Sequence, residues 1–154
     1  MKYFKTYENF LTETILNEIG DSKPLAWEKT NASGKETFYE FDSSNIHYTV
    51  TIKSTNKNNI DIQYTANGFA ATITNAGNPL EIFATVLDIL KEHLQDNPGI
   101  TSFSFIPEKN IGSNDNRREK IYTYGIKRAF PNAKIVSKKI AGSEMEYKNV
   151  KVVL

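Results

Sequence analysis

Asn75-Ala76-Gly77-Asn78-Pro79-Leu80-Glu81-Ile82-Phe83, with the run that follows it to Phe130, decides the fold. Asn78 offers an N-cap side chain, Pro79 suits a first helical position whose N–H has no partner anyway, and Glu81 stands three residues after the cap. A helix must start there. Leu80, Phe83, Val86, Leu87, Leu90 and Leu94 then recur at helical spacing as one apolar stripe, and Asn97-Pro98-Gly99 ends the element. The alternating segment Ile100 to Ile106 predicts a strand, and a second helix carries Ile121, Tyr122, Ile126 and Phe130 up to Pro131.

Toward the N-terminus, Glu36 to Asp42, Ile46 to Ser54 and Asn59 to Ala66 read as three strands separated by Ser43-Ser44-Asn45 and Thr55-Asn56-Lys57-Asn58. In the middle one Ile46, Tyr48, Val50 and Ile52 alternate with His47, Thr49, Thr51 and Lys53, so one face is buried and the other wet. This predicts an antiparallel meander. A fourth strand, Phe69 to Thr74, feeds the capped helix, while Asp21 to Lys35 reads as a connector or a short strand. Tyr3 to Ile19 has helical spacing, with an aromatic stripe of Phe4, Tyr7 and Phe10 and with Gly20 placed to stop it. Beyond Pro131, Lys134 to Ile140 and Glu146 to Leu154 are strand candidates joined by Ala141-Gly142-Ser143. The central strand-helix-strand step implies a parallel or mixed pairing, with a right-handed crossover, inside an otherwise antiparallel sheet.

The 154 residues fit one domain with a real core. The chain has no cysteine, which excludes disulfides, thiolate zinc sites and cysteine nucleophiles. Its two histidines, His47 and His93, fall on different predicted elements, which argues against a histidine metal site or a serine-histidine triad. No apolar run is long enough for a bilayer and no signal core follows the N-terminal lysine, so a protein without signal peptide or membrane span is expected. The charge is lopsided. From Pro107 to Leu154 there are 11 Lys+Arg against 5 Asp+Glu, a net of +6, and the remaining 8 against 13 give −5. A lysine-rich solvated face accounts for that basic third, and so does a surface for an anionic ligand or acidic partner.

The order of helix, meander, strand, helix, strand, helix and closing strands resembles the GNAT-type N-acetyltransferase superfamily from about Glu36 to Leu154. In that family a loop of the form Arg/Gln-x-x-Gly-x-Gly/Ala cradles the pyrophosphate of acetyl-CoA at a helix N-terminus. Thr74, Gly77 and Pro79 take those places here, so one of the three matches; Pro79 has no N–H to donate and Thr74 has no charge. The resemblance implies Asn75, Ala76, Gly77 and Asn78 as the coenzyme-binding residues of a transferase. It also implies Tyr122, the tyrosine of an apolar-Tyr pair with Ile121, as general acid to the departing thiolate. The bland reading of Tyr122 is a core aromatic whose hydroxyl reaches the surface.

A second resemblance lies in Met1-Lys2-Tyr3-Phe4-Lys5-Thr6-Tyr7-Glu8-Asn9-Phe10-Leu11-Thr12-Glu13, which looks like the opening of many small tailed-bacteriophage proteins. Leu11-Thr12-Glu13 and Leu16-Asn17-Glu18 also fit the cleavage pattern of some prohead proteases. Phe83-Ala84-Thr85-Val86 and Asn116 to Tyr122 are similar to segments of small phage proteins with a degenerate acetyltransferase-like fold.

Other groupings are weaker. Arg117, Arg118 and Lys120 near a helix start could bind an anion or contact a partner; the bland reading is a solvated first turn, although positive side chains there oppose the helix dipole and so do not serve helix stability. Phe103 and Phe105 suit the core, or base-stacking platforms in a nucleic-acid binder. Glu40 with Asp42, and Glu144 with Glu146, read as solvent-facing pairs joined by no histidine.

The sequence therefore predicts one α+β domain, with a mixed, mainly antiparallel sheet flanked by helices in GNAT-like topology. Residues 1–20 form an N-terminal amphipathic helix and 21–154 the domain. The function expected first is a non-catalytic phage protein, a minor virion component or a host-factor binder, with a protein partner, no cofactor, and the host cytoplasm or virion as its location. An acetyl-CoA-dependent N-acetyltransferase is the alternative, and a small nucleic-acid-binding module the second alternative. The aromatic N-terminal stripe suits packing on its own domain, and an arm docking into a neighbouring subunit of a homo-oligomer would use the same residues.

Overall fold

The computed structural model describes residues 23–67, 69–70, 79–105, 117–139 and 148–154. Its elements run β1 (Glu28–Ser33), β2 (Glu36–Ser43), β3 (Ile46–Ser54), β4 (Asn59–Ala66), β5 (Phe69–Ala70), α1 (Pro79–Asp96), β6 (Ser102–Phe105), α2 (Arg117–Ala129), β7 (Lys134–Lys139) and β8 (Lys148–Val153). The three meander strands form where alternation places them. A two-residue turn connects β2 to β3: Ser44 and Asn45 take φ of 51° and 63°, the left-handed pair that a tight hairpin between right-twisted strands requires. Gly34, at φ 56°, turns β1 into β2.

The sheet runs in the order β1-β2-β3-β4-β6-β8-β7, with the short β5 paired to β4. All pairings are antiparallel except β4 with β6. One face carries Tyr39, Phe41, Tyr48, Val50, Ile52, Ile60, Phe103, Val150 and Val152, all buried, and both helices cover it. Registry explains the continuity, since Tyr39, Val50 and Tyr64 lie across from one another, as do Phe41, Tyr48 and Ala66. Burying such side chains stabilises by roughly 1.5–3 kcal/mol each. No helix among the described residues is long and apolar enough to cross a membrane.

Two expectations need correction, while the short strand that is one of the two readings of Asp21 to Lys35 is present as the edge strand β1, exposed throughout. The parallel partner of β6 is β4, whereas β5 folds back on β4 as a hairpin of two residue pairs. The stripe of α1 is turned by about one residue: Ile82, Thr85, Val86, Ile89, Leu90 and His93 face the sheet, while Leu87 and Leu94 lie half-buried beside them and Phe83 turns to meet α2. Thr85 fits there because its hydroxyl donates to Glu81 O at 2.6 Å and accepts from Leu25 N–H at 2.9 Å. The expected helix Tyr3 to Ile19, Ile140 of the seventh strand and Glu146 and Tyr147 of the last lie outside the described residues.

Candidate functional site

In sheets with parallel strands, ligands bind outside the carboxyl ends, at the place where neighbouring strands part. Here β4 and β6 run together through only three pairs, Asn59 with Ser102, Ile60 with Phe103 and Asp61 with Ser104. Past Asp61 they separate. The edge of β4 that β6 leaves is taken further on by β5, through Thr65 with Ala70 and Ala66 with Phe69, because the opposite edge of β4 is already held by β3.

Aromatic side chains gather on the helix side of the same crevice. Tyr64 from β4 and Tyr122 from α2 bring their hydroxyls to 3.3 Å, and either oxygen can donate. The Tyr122 ring lies 4.9 Å from that of Phe83 on α1 and 5.9 Å, edge-on, from that of Phe105 on β6. These spacings are those of favourable aromatic pairs. The helices close over the cluster because residue 125 is glycine. A Cβ there would stand 2.3 Å from Phe83 Cε1, so only glycine lets α2 come this near α1.

Of the residues singled out in the sequence, Tyr122 therefore sits at the crevice as one member of an aromatic cluster. Asn75, Ala76, Gly77 and Asn78 lie outside the described residues. Arg117, Arg118 and Lys120 form the first turn of α2, and their side chains are outside the description. Phe103 is 1% exposed and packs on Phe130 at 5.7 Å, and Phe105 is half-buried against Tyr122, so neither is a stacking platform for bases. The Glu144 and Glu146 pair is outside the described residues. Among the described residues no cluster of His, Cys, Asp and Glu could hold a metal ion.

Two histidine constellations escaped the linear reading. His47 does join Glu40 and Asp42: its Nδ1 lies 2.8 Å from Asp42 Oδ1 and its Nε2 3.4 Å from Glu40 Oε1. The β2–β3 register, which sets Asp42 opposite His47, creates the contact. The hydrogen bonds to Asp42 and then Glu40 hold the His47 pKa above its ordinary value, although the ring is well exposed.

The second is buried. The Tyr39 phenol meets His93 Nδ1 at 2.8 Å between β2 and α1, beneath Trp27, whose indole N–H donates to Asp88 at 2.8 Å. Burial, then the charge of Lys29, push the His93 pKa down, against a smaller opposing effect of Asp96. Burial, then Asp96 and Glu92, push that of Tyr39 up. Both groups thus stay neutral. The signal for this pair was spacing, since His93 falls four residues after Ile89 on the buried stripe.

Compared with known protein families, curated proteins and solved structures, the chain matches none of them.

Proposed function

We propose that this chain is a non-catalytic binding protein on an acetyltransferase-like scaffold, acting in a tailed phage as a minor virion component or as a binder of a host protein. The carrying observation is the occupied crevice. Where β4 and β6 part, the chain's own β5 takes the open strand edge, and the Phe83, Phe105, Tyr64 and Tyr122 cluster takes the space beneath the helices. The element order, with one parallel pair inside an antiparallel sheet, supports the scaffold half of the reading. The opening residues Met1 to Glu13 support the phage half. Calorimetric titration with acetyl-CoA tests it: no saturable heat is expected, and one-to-one binding would overturn it.

A transferase is the second reading, favoured by the half-buried Tyr122 hydroxyl standing beside that of Tyr64 at the carboxyl end of a parallel pair. In it Asn75 to Asn78 would hold the pyrophosphate and Tyr122 would protonate the leaving thiolate. Its mark would be a Tyr122→Phe variant that binds coenzyme normally and fails in the chemical step.

A further inference from the structure

At the other end of the sheet from the crevice, three loops enclose a pocket of about 310 Å³ between the end of α1 and the amino end of β4. Each wall is fixed by backbone hydrogen bonds. Lys35 follows Gly34 in the β1–β2 turn, and its carbonyl accepts from Ser54 N–H at 2.8 Å. Lys57 is presented by a loop in which Asn56 Oδ1 accepts the N–H groups of Asn58 and Asn59, both at 2.9 Å, while Asn58 O accepts from Thr101 at 2.9 Å. The third wall is the turn after α1, where Ile100 N–H donates to Asn97 O at 3.1 Å and Asn97 Nδ2 to His93 O at 2.8 Å.

His93 forms part of the lining. The phenol of Tyr39, itself 2% exposed, needs an acceptor, and His93 Nδ1 at 2.8 Å is the one it meets. The imidazole proton is therefore on Nε2, assigned by the hydrogen-bond network. That N–H has no protein acceptor among the described residues, and it belongs to a histidine that lines the pocket. Lys35, Lys57, His93, Thr37 and Ser54 all line the pocket, and no carboxylate-bearing side chain is among the described residues of the lining.

We propose that this pocket binds a small oxyanion, a phosphate- or carboxylate-bearing metabolite, between Lys35, Lys57 and the Nε2–H of His93. The volume is that of a small-molecule site. The C-terminus of α1 opposes an anion with roughly half a negative charge. Two full positive charges outweigh it, and two of the nearest carbonyls, those of His93 and Asn97, already accept hydrogen bonds. Asp96 acts on both Tyr39 and His93, and Glu92 on Tyr39, from outside the lining.

The test is an amide and histidine-ring NMR titration of the full chain, with inorganic phosphate in one arm and citrate in the other, at ionic strength held constant with chloride. Saturable shifts at Gly34, Lys35, Ser54, Lys57, Gly99 and the His93 ring are expected, and the arm that saturates names the group recognised. The double variant Lys35→Ala/Lys57→Ala, which alters two surface side chains, should weaken binding about tenfold or more. Lys151→Ala, on β8, should leave it unchanged. Shifts that fail to saturate, that spread equally over Lys127, Lys134 and Lys151, or that persist unweakened in the double variant would overturn the proposal.

Discussion

The substitution Gly125→Ala reverses the usual rule for a helix. In an open helix, replacing glycine by alanine gains about 1 kcal/mol, because alanine gives up less backbone freedom. Here the new methyl would meet Phe83 Cε1 at 2.3 Å, Cζ at 3.0 Å and Cδ1 at 3.3 Å, where carbon atoms at rest stand about 3.5–4.0 Å apart. The ring must move, and it leans on Tyr122, which in turn touches Phe105 and Tyr64. Overpacking of this kind costs roughly 1–3 kcal/mol, so the native background should lose up to about 2 kcal/mol after the helical gain is set against it.

Removing the ring removes the obstacle. In a Phe83→Ala background the second substitution should recover the ordinary gain of about 1 kcal/mol, which gives a coupling of roughly 1–3 kcal/mol between the two positions. Urea unfolding of the four proteins, followed by circular dichroism, measures it. Equal effects of Gly125→Ala in both backgrounds, or stabilisation by about 1 kcal/mol with Phe83 in place, would refute the close approach of the two helices.

Tyr39→Phe leaves His93 Nδ1 buried without its donor and should cost about 1–3 kcal/mol in the same urea assay, against a negligible change if the phenol were solvated. Titrated by NMR, His93 should show a midpoint below 6.5 and His47 one above it. The sign follows for stability: the His93 contribution is full above about 6.5 and lost as pH falls through its folded value, whereas that of His47 is full below about 6.5 and lost as pH rises through its own. A His47→Asn variant should therefore lose the second dependence and keep the first. Ser44→Gly, at a position with φ 51°, should stabilise by roughly 0.5–1 kcal/mol in thermal unfolding, and no gain would mean that the hairpin turn is not left-handed at that residue.

The meander and both helices were legible because their signals are local. Alternation set β2, β3 and β4 within a residue of their observed ends, and the Asn78-Pro79 start with the Asn97-Pro98-Gly99 stop framed α1. What escaped was whatever depends on pairing. β1 carries no apolar alternation, since none of its residues is buried, so the sequence leaves a connector and a short strand both open there and the hydrogen bonds to β2 decide between them. The choice between β4 and β5 as parallel partner of β6 is likewise decided by three-dimensional registry. Tyr122 could be named from its place beside Ile121, but the three aromatic neighbours that occupy it come from β4, α1 and β6. The two histidines looked isolated along the chain, and cross-strand register and helix-on-sheet packing supplied their partners.

The filled crevice is tested most directly by NMR of the protein with labelled tyrosine and phenylalanine rings, recorded with and without acetyl-CoA. The account predicts through-space signals linking the rings of Phe83, Tyr122 and Phe105, and ring resonances that do not change when the coenzyme is added. Saturable shifts of Tyr64, Tyr122 and Phe105, accompanied by disappearance of the ring-to-ring signals, would mean that the cluster opens to admit the coenzyme, and would contradict the account.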